Sequence, residues 1–511
     1  MSKLYADILF LLFKELQYDS KSLFSCLLVN RLWCETVVPI LWRNPWRYNI
    51  NYKNKSYLFA IIAFYLPIDI KEFLSSQGIN FPPISYQYLL FDYLSFCKSI
   101  NINIIESIIP IGSSINYNQF LLQQEFYNLL IINCPKLKYL DIQSIKHQIF
   151  CFPGAKACLE TLCELDCNTS IDPVHFYGLA SICQNIQKLV IINDIIKVNN
   201  GIAKLIEVQG NLKSFEWKDD FEEDYILGDL YKESLLALEK KADNLDHLKI
   251  FFQYVEEFEH TLLEEVLPKL YKSRTLIIND NIYFDQFKML VYQNIEILYI
   301  DYITINSASN IIENSGGLLK EILLFKFFEY YDFEESFNED SINFMNKIIK
   351  HCPLIEYLTL AFSPTKKHFD EFEKLLKVCQ NLTSLLLFIF NFDEKETSEK
   401  NLENGAELLK VLIRSAPTNL REIKFFEDFR FSLQALGEFL EKWKGRPAFS
   451  IFTTDYIYRR EDYMNLINKY INVGEKDFFK KHDTSDRQSM NISKRAEKYY
   501  QAGCGIREES I

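Results

Sequence analysis

The sequence has little glycine and proline and no long apolar run, and each shortage excludes a class of protein. Its 511 residues include 15 glycines and 14 prolines, too few for a collagen-like or linker-like chain. The longest apolar stretch, residues 57–66, ends at Pro67 and is about half as long as a membrane-spanning helix. Charged residues interrupt the first sixteen positions, so we expect no secretory signal. We therefore expect no membrane partner.

Positive charge is also scarce. The chain has 56 lysines and arginines against 69 acidic residues, a net charge of −13, which argues against a nucleic-acid partner. Apolar residues make up 48% and charged residues 24%, which excludes wholesale disorder. Twelve cysteines without a secretory signal indicate reduced thiols in a cytoplasmic or nuclear protein.

The sequence carries no recognisable catalytic or metal-binding motif. Cys151, Cys158, Cys163 and Cys167 cluster, but their spacing is not that of paired zinc knuckles. The histidines are scattered, and neither a nucleophile motif nor a phosphate-binding loop occurs. We expect no metal, no cofactor and no catalytic activity in this chain.

A nine-residue pattern recurs along most of the chain. Residues 134–142, 183–191, 352–360 and 379–387 each begin with Cys and have apolar residues at their fourth, seventh and ninth positions. Seven weaker copies share this spacing, and most successive copies lie within the period of about 20–29 residues typical of leucine-rich repeats. The seventh positions are Leu140, Leu165, Leu189, Phe215, Leu248, Leu276, Leu298, Ile322, Leu358, Leu385 and Ile423.

The pattern predicts an α/β repeat fold. Two apolar residues separated by one position point to the same face of a strand. A stretch with helical spacing precedes each strand, for example residues 120–132 and 369–378. One strand and one helix cannot bury their apolar faces alone, but stacked copies can. We therefore expect a solenoid with a curved parallel sheet inside and helices outside.

The pattern resembles the cysteine-containing class of leucine-rich repeats over roughly residues 120–455. We assign residues 119–455 to a solenoid of about 11–12 repeats. Residues 456–511 are predicted to form a capping helix followed by a loose polar tail, because the sequence there becomes polar and loses its periodicity.

A different pattern precedes the repeats. Apolar residues recur every three or four positions in the first sixteen residues, and two further apolar stretches end near Trp33 and Trp42. These stretches predict three short helices within residues 1–45. So small and apolar a segment needs either a partner or the next domain to cover it. Residues 46–118 are predicted to be a helical connecting region that packs the two parts together.

The first segment resembles an F-box. The match covers residues 4–42, includes Asp19 and the run Val29-Asn30-Arg31-Leu32-Trp33, and departs at Tyr5 and Asp7, where the family usually has Pro and Glu. The alternative is a helical cap on the solenoid. The resemblance implies that a Skp-type adaptor binds this segment. The residues assigned to adaptor binding are Leu4, Tyr5, Ile8, Leu9, Leu12, Phe13, Leu16, Val29, Trp33 and Trp42.

The order of F-box and repeats is similar to that of fungal-type F-box proteins with leucine-rich repeats. This resemblance implies a non-catalytic substrate receptor of an SCF-type ubiquitin ligase. The adaptor would connect the chain to a cullin, and the repeats would select an unknown protein target. The alternative is a leucine-rich-repeat scaffold or inhibitor that acts without ubiquitin.

The residues between the buried strand positions form the candidate target surface. In the second half of the array these residues are largely aromatic or aliphatic, so they are candidate contact residues on a concave face. One alternative is that the C-terminal tail covers these residues. The other is that they contact neither a target nor the tail. The residues assigned to target binding are Tyr299, Leu323, Phe325, Tyr357, Leu386, Phe388 and Phe426.

Three acidic segments follow strands in the longest repeats. Residues 219–224, 329–340 and 393–403 together carry a net charge of −14, against −13 for the whole chain. If they form loops on one rim of the solenoid, they would favour a basic target. The alternative is that they are solvated surface loops.

Overall fold

A computed structural model describes most of the chain. The described ranges are 6–47, 52–81, 89–134, 136–221, 229–252, 261–279, 291–300, 304–324, 334–390, 398–425, 429–447, 449–452 and 456–471. The chain divides into two compact units, residues 1–241 and residues 242–511.

The first unit begins with three short helices, α1 (Ala6–Glu15), α2 (Ser20–Cys26) and α3 (Arg31–Arg43). Polar side chains cap the second and third. Asp19 accepts a hydrogen bond from the Ser22 backbone N–H at 3.1 Å, and Asn30 accepts one from the Trp33 N–H at 3.0 Å. Both acceptors satisfy backbone donors that a helix start leaves without intrahelical partners. The polar residues of the F-box-like motif therefore mark the two helix starts.

Four helices and the first strand follow. They are α4 (Tyr52–Phe64), α5 (Ile68–Ser76), α6 (Tyr93–Phe96), β1 (Ser99–Asn101) and α7 (Ile102–Ile108). Phe59 of α4 is fully buried and makes a tilted ring contact with Phe126, in the helix that follows α7, at a centroid distance of 5.5 Å. This contact packs the connecting region onto the repeats, as its apolar composition indicates.

Strand and helix then alternate through the rest of the first unit. The helices are α8 (Asn116–Asn133), α9 (Ala155–Leu159), α10 (Pro173–Ile182), α11 (Asn200–Val208) and α12 (Lys232–Glu239). The strands are β2 (Tyr139–Asp141), β3 (Glu164–Asn168), β4 (Lys188–Asn193) and β5 (Ser214–Asp219), and β1 to β5 pair in parallel in chain order.

The second unit repeats the same arrangement with eight parallel strands in chain order. They are β6 (His247–Phe251), β7 (Thr275–Asn279), β8 (Ile297–Ile300), β9 (Glu321–Leu324), β10 (Tyr357–Phe362), β11 (Ser384–Ile389), β12 (Glu422–Phe425) and β13 (Ser450–Phe452). The helices are α13 (Thr261–Val266), α14 (Ile305–Glu313), α15 (Glu334–His351), α16 (Lys366–Val378), α17 (Ser398–Ser415), α18 (Leu433–Trp443) and α19 (Glu461–Ile471).

The seventh positions of successive repeats pair with one another across the sheet. In the first unit Leu140 pairs with Leu165, Leu165 with Leu189, and Leu189 with Phe215. In the second unit the equivalent residues also lie opposite one another, from Leu248 in β6 to Ile451 in β13. All of these side chains are buried. The α/β repeat architecture is therefore confirmed, and the eleven predicted copies are the strands β2 to β12.

The repeat cysteines lie at the ends of helices and are buried. The Cys158 thiol donates to the Cys134 carbonyl at 3.3 Å, and the Cys183 thiol donates to the Leu159 carbonyl at 3.5 Å. Each contact joins one repeat to the preceding one. Burial raises the pKa of the Cys183 thiol to about 12, so it stays protonated. These cysteines therefore act as small apolar residues that also donate a weak hydrogen bond.

The acidic segments differ from the predicted loops at most of the positions that the structure describes, although Asp220 is exposed and follows the end of β5. Residues 334–340 and 398–403 belong to helices α15 and α17 rather than to loops. Asp219 is buried and accepts hydrogen bonds from Asn193 Nδ2 at 2.7 Å, Trp217 Nε1 at 2.8 Å and the Tyr231 hydroxyl at 2.8 Å. It is a structural carboxylate and not part of an exposed rim. Residues 222–228, 329–333 and 393–397 lie outside the described residues.

A histidine joins α15 to α16 in the second unit. His368 Nε2 lies 2.8 Å from Ser341 Oγ, and its Nδ1 lies 2.8 Å from Thr365 Oγ1. Ser341 and His368 are fully buried, so this serine–histidine pair is closed to any substrate. Burial lowers the pKa of His368 to about 4, because the charged imidazolium would lose its hydration.

This histidine should make the stability of the protein depend on pH. Its pKa is lower in the folded state than in the unfolded state, so protons favour unfolding as the pH falls from about 6.5 towards 4. We expect His368 to account for about 2 kcal/mol of the unfolding free energy lost between pH 7 and pH 5. Urea unfolding of the wild type and of H368Q at both values measures this contribution. The control is H351Q. Burial also lowers the pKa of His351, but this residue is partly exposed, so H351Q should remove a smaller part of the pH dependence. Equal pH dependence of the wild type and H368Q would contradict the assignment.

Candidate protein-binding site

The three N-terminal helices pack around a small core of their own. Phe13 and Trp33 make an edge-to-face contact with ring centroids 5.0 Å apart. Their core residues are Leu9, Phe13, Leu23, Val37, Ile40 and Leu41. This core includes residues from all three helices, so the segment is a folded bundle rather than a loose leader.

Helix α1 is apolar on nearly every side. At 3.6 residues per turn, Leu9, Phe13 and Leu16 form the stripe that faces the core. Ile8, Leu11 and Leu12 form a second stripe that is exposed to solvent, and Leu11 is 62% exposed. An amphipathic surface helix would carry polar residues at these positions, and a helix that is apolar all round is normally buried. The outer stripe of α1 therefore suits a partner protein.

Further exposed apolar side chains lie on α2 and around the start of α3. Leu28 is 89% exposed, and Phe24, Val29 and Leu32 are exposed as well. Nine of the 25 exposed large apolar side chains among the described residues fall between positions 8 and 32. Scattered exposed leucines are ordinary on a protein surface, but this concentration on one small bundle is not. We call the set Ile8, Leu11, Leu12, Phe24, Leu28, Val29 and Leu32 the N-terminal apolar surface.

The bundle is fastened to the first strand of the repeats. Trp46 Nε1 donates to the Ser99 carbonyl of β1 at 2.7 Å, and Trp46 is buried. The Lys98 N–H donates to the Arg43 carbonyl at the end of α3, at 3.0 Å. Trp42 also packs against Tyr93 of α6, with ring centroids 4.6 Å apart. These contacts hold the end of α3 against β1, so a partner bound to the bundle would be positioned relative to the repeats of the first unit.

The ten residues assigned to adaptor binding fall into four groups. Ile8, Leu12 and Val29 are exposed, and Leu16, Trp33 and Trp42 are partly buried. Leu9 and Phe13, only 2% and 3% exposed, lie in the core. They cannot contact a partner directly, so for them the assignment is corrected to a supporting role. Leu4 and Tyr5 lie outside the described residues.

Four residues of the N-terminal apolar surface were not predicted from the sequence, namely Leu11, Phe24, Leu28 and Leu32. The signal for Leu11 was present, because it lies on the opposite side of α1 from the core stripe. Leu28 follows the end of α2 rather than lying on a helix, so no periodicity could assign it.

The proposed target surface of the second unit is mostly closed. Tyr299, Leu323, Leu386 and Phe388 are buried in one cluster with Phe251 and Ile277, against which Phe390 packs. Solvent exposure was therefore the wrong expectation for these four residues. Tyr299 and Leu323 lie opposite each other on β8 and β9, and Leu386 and Phe388 lie two positions apart on β11. Their large side chains fill this face of the sheet. Tyr357 is partly buried, and Phe325 and Phe426 lie outside the described residues.

The corresponding face of the first unit is mostly polar and partly open, although Val190 and Ile192 of β4 also lie on it. Glu164 is exposed, and Tyr139, Asp166, Lys188, Ser214, Glu216 and Lys218 are partly buried. The Tyr139 hydroxyl donates to Asp166 Oδ2 at 2.9 Å, whereas Asp166 Oδ1 is buried without a hydrogen-bond partner. Burial raises the pKa of Asp166 to about 6. This face has acceptors and donors that a target protein could use.

The described residues include no candidate group of metal-ligating side chains and no candidate apolar helix of membrane length. Within those ranges no three His, Cys, Asp or Glu side chains come together as they would around a metal ion. Cys158 and Cys167 are buried core residues, and Cys151 is exposed. None of the described helices combines the length and the apolar character needed to cross a bilayer.

Comparisons with known proteins find no related sequence and a distant structural likeness. No family model matches the sequence, and no curated protein is significantly similar to it. A chain in the crystal structure of a complex of Rad7 and Elc1 from yeast is 14% identical, with a TM-score of 0.38. The match covers 68% of this chain and 90% of that chain. A likeness this distant indicates nothing about the function.

Serine substitutions should separate the core of the bundle from its surface. L9S should destabilise the bundle by roughly 3 kcal/mol, because it removes a buried side chain and buries a hydroxyl group. L11S changes a residue that is already exposed, so its effect should stay within about 0.5 kcal/mol. Hydrogen–deuterium exchange of the backbone amides of residues 6–43 measures the stability of the bundle in both variants. Equal losses in L9S and L11S would contradict the division.

Proposed function

We propose that this protein is a target-recognition subunit of a cullin-based, SCF-type ubiquitin ligase in the cytoplasm or nucleus. The N-terminal bundle binds a Skp-type adaptor, which connects the chain to the cullin, and the repeats bind the target protein. The observation that carries this proposal is the N-terminal apolar surface, with Leu11 and Leu28 more than half exposed on a folded bundle.

The N-terminal apolar surface favours an adaptor-binding bundle over a simple solenoid cap. A cap shields the end of a repeat array and keeps its outer face polar, which maintains solubility. Here the outer stripe of α1 consists of Ile8, Leu11 and Leu12. Fully burying a leucine or isoleucine contributes about 1.5–3 kcal/mol, so these side chains suit a stable protein interface.

In this proposal the chain catalyses no reaction itself and instead holds the target close to the ubiquitin-conjugating enzyme. Contacts from Trp46 and Lys98 to the ends of α3 and β1 would hold the bound adaptor in a constant position relative to the repeats of the first unit. A target on the repeats would then present its lysines to the ubiquitin-conjugating enzyme at high effective concentration. The polar face that includes Glu164 and Asp166 is the better candidate for target contact, since the corresponding face of the second unit is buried.

Adaptor binding tests the proposal directly. In L11D/L28D two charges replace exposed leucines, so the bundle should remain folded while the apolar contact is lost. Losing two leucine contacts at about 1.5 kcal/mol each weakens binding roughly 100-fold. We expect a co-expressed Skp-type adaptor to co-purify with the wild type and to be absent from L11D/L28D.

The matched control is V174D/Y177D. Val174 and Tyr177 are also exposed apolar residues, but they lie on α10 among the repeats. This control should retain the adaptor, and all three proteins should unfold at similar temperatures. A folded wild type that binds no adaptor would overturn the proposal and favour a scaffold or inhibitor acting without ubiquitin.

A further inference from the structure

A groove of about 380 Å³ lies beside the N-terminal bundle, within the first unit. It is bounded by α1, by the second half of α3 and by the residues that lead into β1 and β2. Of the eleven described residues that line it, five are cationic and none is acidic. The cations are Lys14, Arg43, Lys98, Lys136 and Lys138. We call this groove the basic groove.

The fold brings these cations together from distant parts of the sequence. Lys14 lies one turn after Phe10 on a third stripe of α1, which faces neither the core nor the outer apolar stripe. Arg43 is the last residue of α3, and its carbonyl accepts the Lys98 N–H. The Lys138 N–H donates to the Lys98 carbonyl at 2.8 Å, so these two lysines precede neighbouring strands. The contacts that hold α3 against β1 therefore also bring together the residues that line the groove.

Three of the five cations of the groove have no partner for their charge among the described residues, whereas Lys138 Nζ donates to the Thr161 carbonyl at 3.1 Å. Lys14, Arg43 and Lys136 are exposed and make no ion pair or side-chain hydrogen bond with any described residue. Elsewhere in the same unit lysines do pair with carboxylates, as Lys188 does with Glu164 and Lys204 with Glu207. Like charges gathered in a concave surface create a positive potential that attracts anions. This potential is unusual in a chain with a net charge of −13.

The lining also has an apolar part. Phe10, Pro39, Ile40 and Phe96 line the groove together with the cations. A small inorganic anion would contact only the cations of the groove. A peptide segment with carboxylates and an apolar side chain can contact both the cations and the apolar residues. Phe10 is itself exposed and lies on α1 between the core stripe and Lys14. The basic groove and the N-terminal apolar surface thus share a helix.

We propose that the basic groove binds an acidic, carboxylate-rich segment of the same adaptor protein that covers the N-terminal apolar surface. This inference rests on the proposed adaptor function and extends it to a second contact. The apolar surface would supply most of the affinity. The groove would supply charge complementarity, which speeds association and selects an acidic partner over others.

Charge reversal of the three unpaired cations tests the inference. K14E/R43E/K136E should weaken adaptor binding at least tenfold at low ionic strength, measured by calorimetry or surface plasmon resonance. Wild-type affinity should fall steeply between 50 and 300 mM salt, and the variant should lose most of that dependence. Thermal unfolding checks that the variant remains folded.

A second triple variant serves as the control, because it changes the net charge by the same amount at positions outside the groove. Lys146, Lys156 and Lys213 are exposed lysines of the same unit that do not line the groove. K146E/K156E/K213E should therefore bind the adaptor within about twofold of the wild type. If the two triple variants are equally weakened, only the overall charge matters and the groove is not a contact.

The outcomes separate this inference from the proposed function. No adaptor binding by the wild type overturns both. Wild-type binding that K14E/R43E/K136E leaves unchanged overturns the groove alone. Inorganic phosphate and a glutamate-rich peptide taken from the adaptor serve as competitors. Competition by the peptide at micromolar concentration supports the inference, whereas competition by phosphate without any effect of the peptide would identify a phosphate site and overturn it.

Discussion

The row of apolar side chains aligned across neighbouring parallel strands is the interaction on which the rest of the structure depends. In the first unit it passes from Ile100 of β1 through Leu140 to Phe215. No single strand could bury its own leucine, so each copy is stable only beside the next. Helix-end cysteines such as Cys158 and Cys183 add a second link between successive copies. The N-terminal bundle is attached to the first strand of this row through Trp46.

The spacing of apolar residues was sufficient to predict the strands, because an alternation that recurs with a constant internal spacing has few other physical explanations. The spacing predicted which strand residues are buried on the helix-facing side of the sheet. It did not determine whether the residues on the opposite side are buried or exposed. Tyr299 and Phe388 occupy positions that alternate correctly, yet they are buried because the opposite face of the second unit is also filled. The strand β13 was missed because its copy of the pattern, with Ile451 at the seventh position, has the polar Thr453 at the ninth position. Charge composition alone likewise misplaced Asp219, whose partners include Asn193 of the preceding strand and Trp217 of its own strand.

Helix α1 shows why a functional surface is harder to derive than a fold. Its ten residues face three environments, namely the core through Leu9, solvent through Leu11 and the basic groove through Phe10. A helical pattern identifies an apolar residue but not which of several apolar stripes is buried. The family resemblance selected positions on both the core stripe and the outer stripe. Only packing against α3 assigns Leu9 and Phe13 to the core and leaves Ile8 and Leu12 outside.

The rigid joint between α3 and β1 has a geometric consequence. Because the bundle is fixed to the first strand, every later repeat of the first unit lies a whole number of strand spacings from it, each about 4.8 Å. The separation between a partner on the bundle and a ligand on the repeats therefore takes stepwise values. A chain that gained or lost one repeat in this unit would change its reach by one step and turn the ligand through one strand twist. The number of repeats would then set the distance between the two bound proteins, and that distance could change without any change in either binding surface.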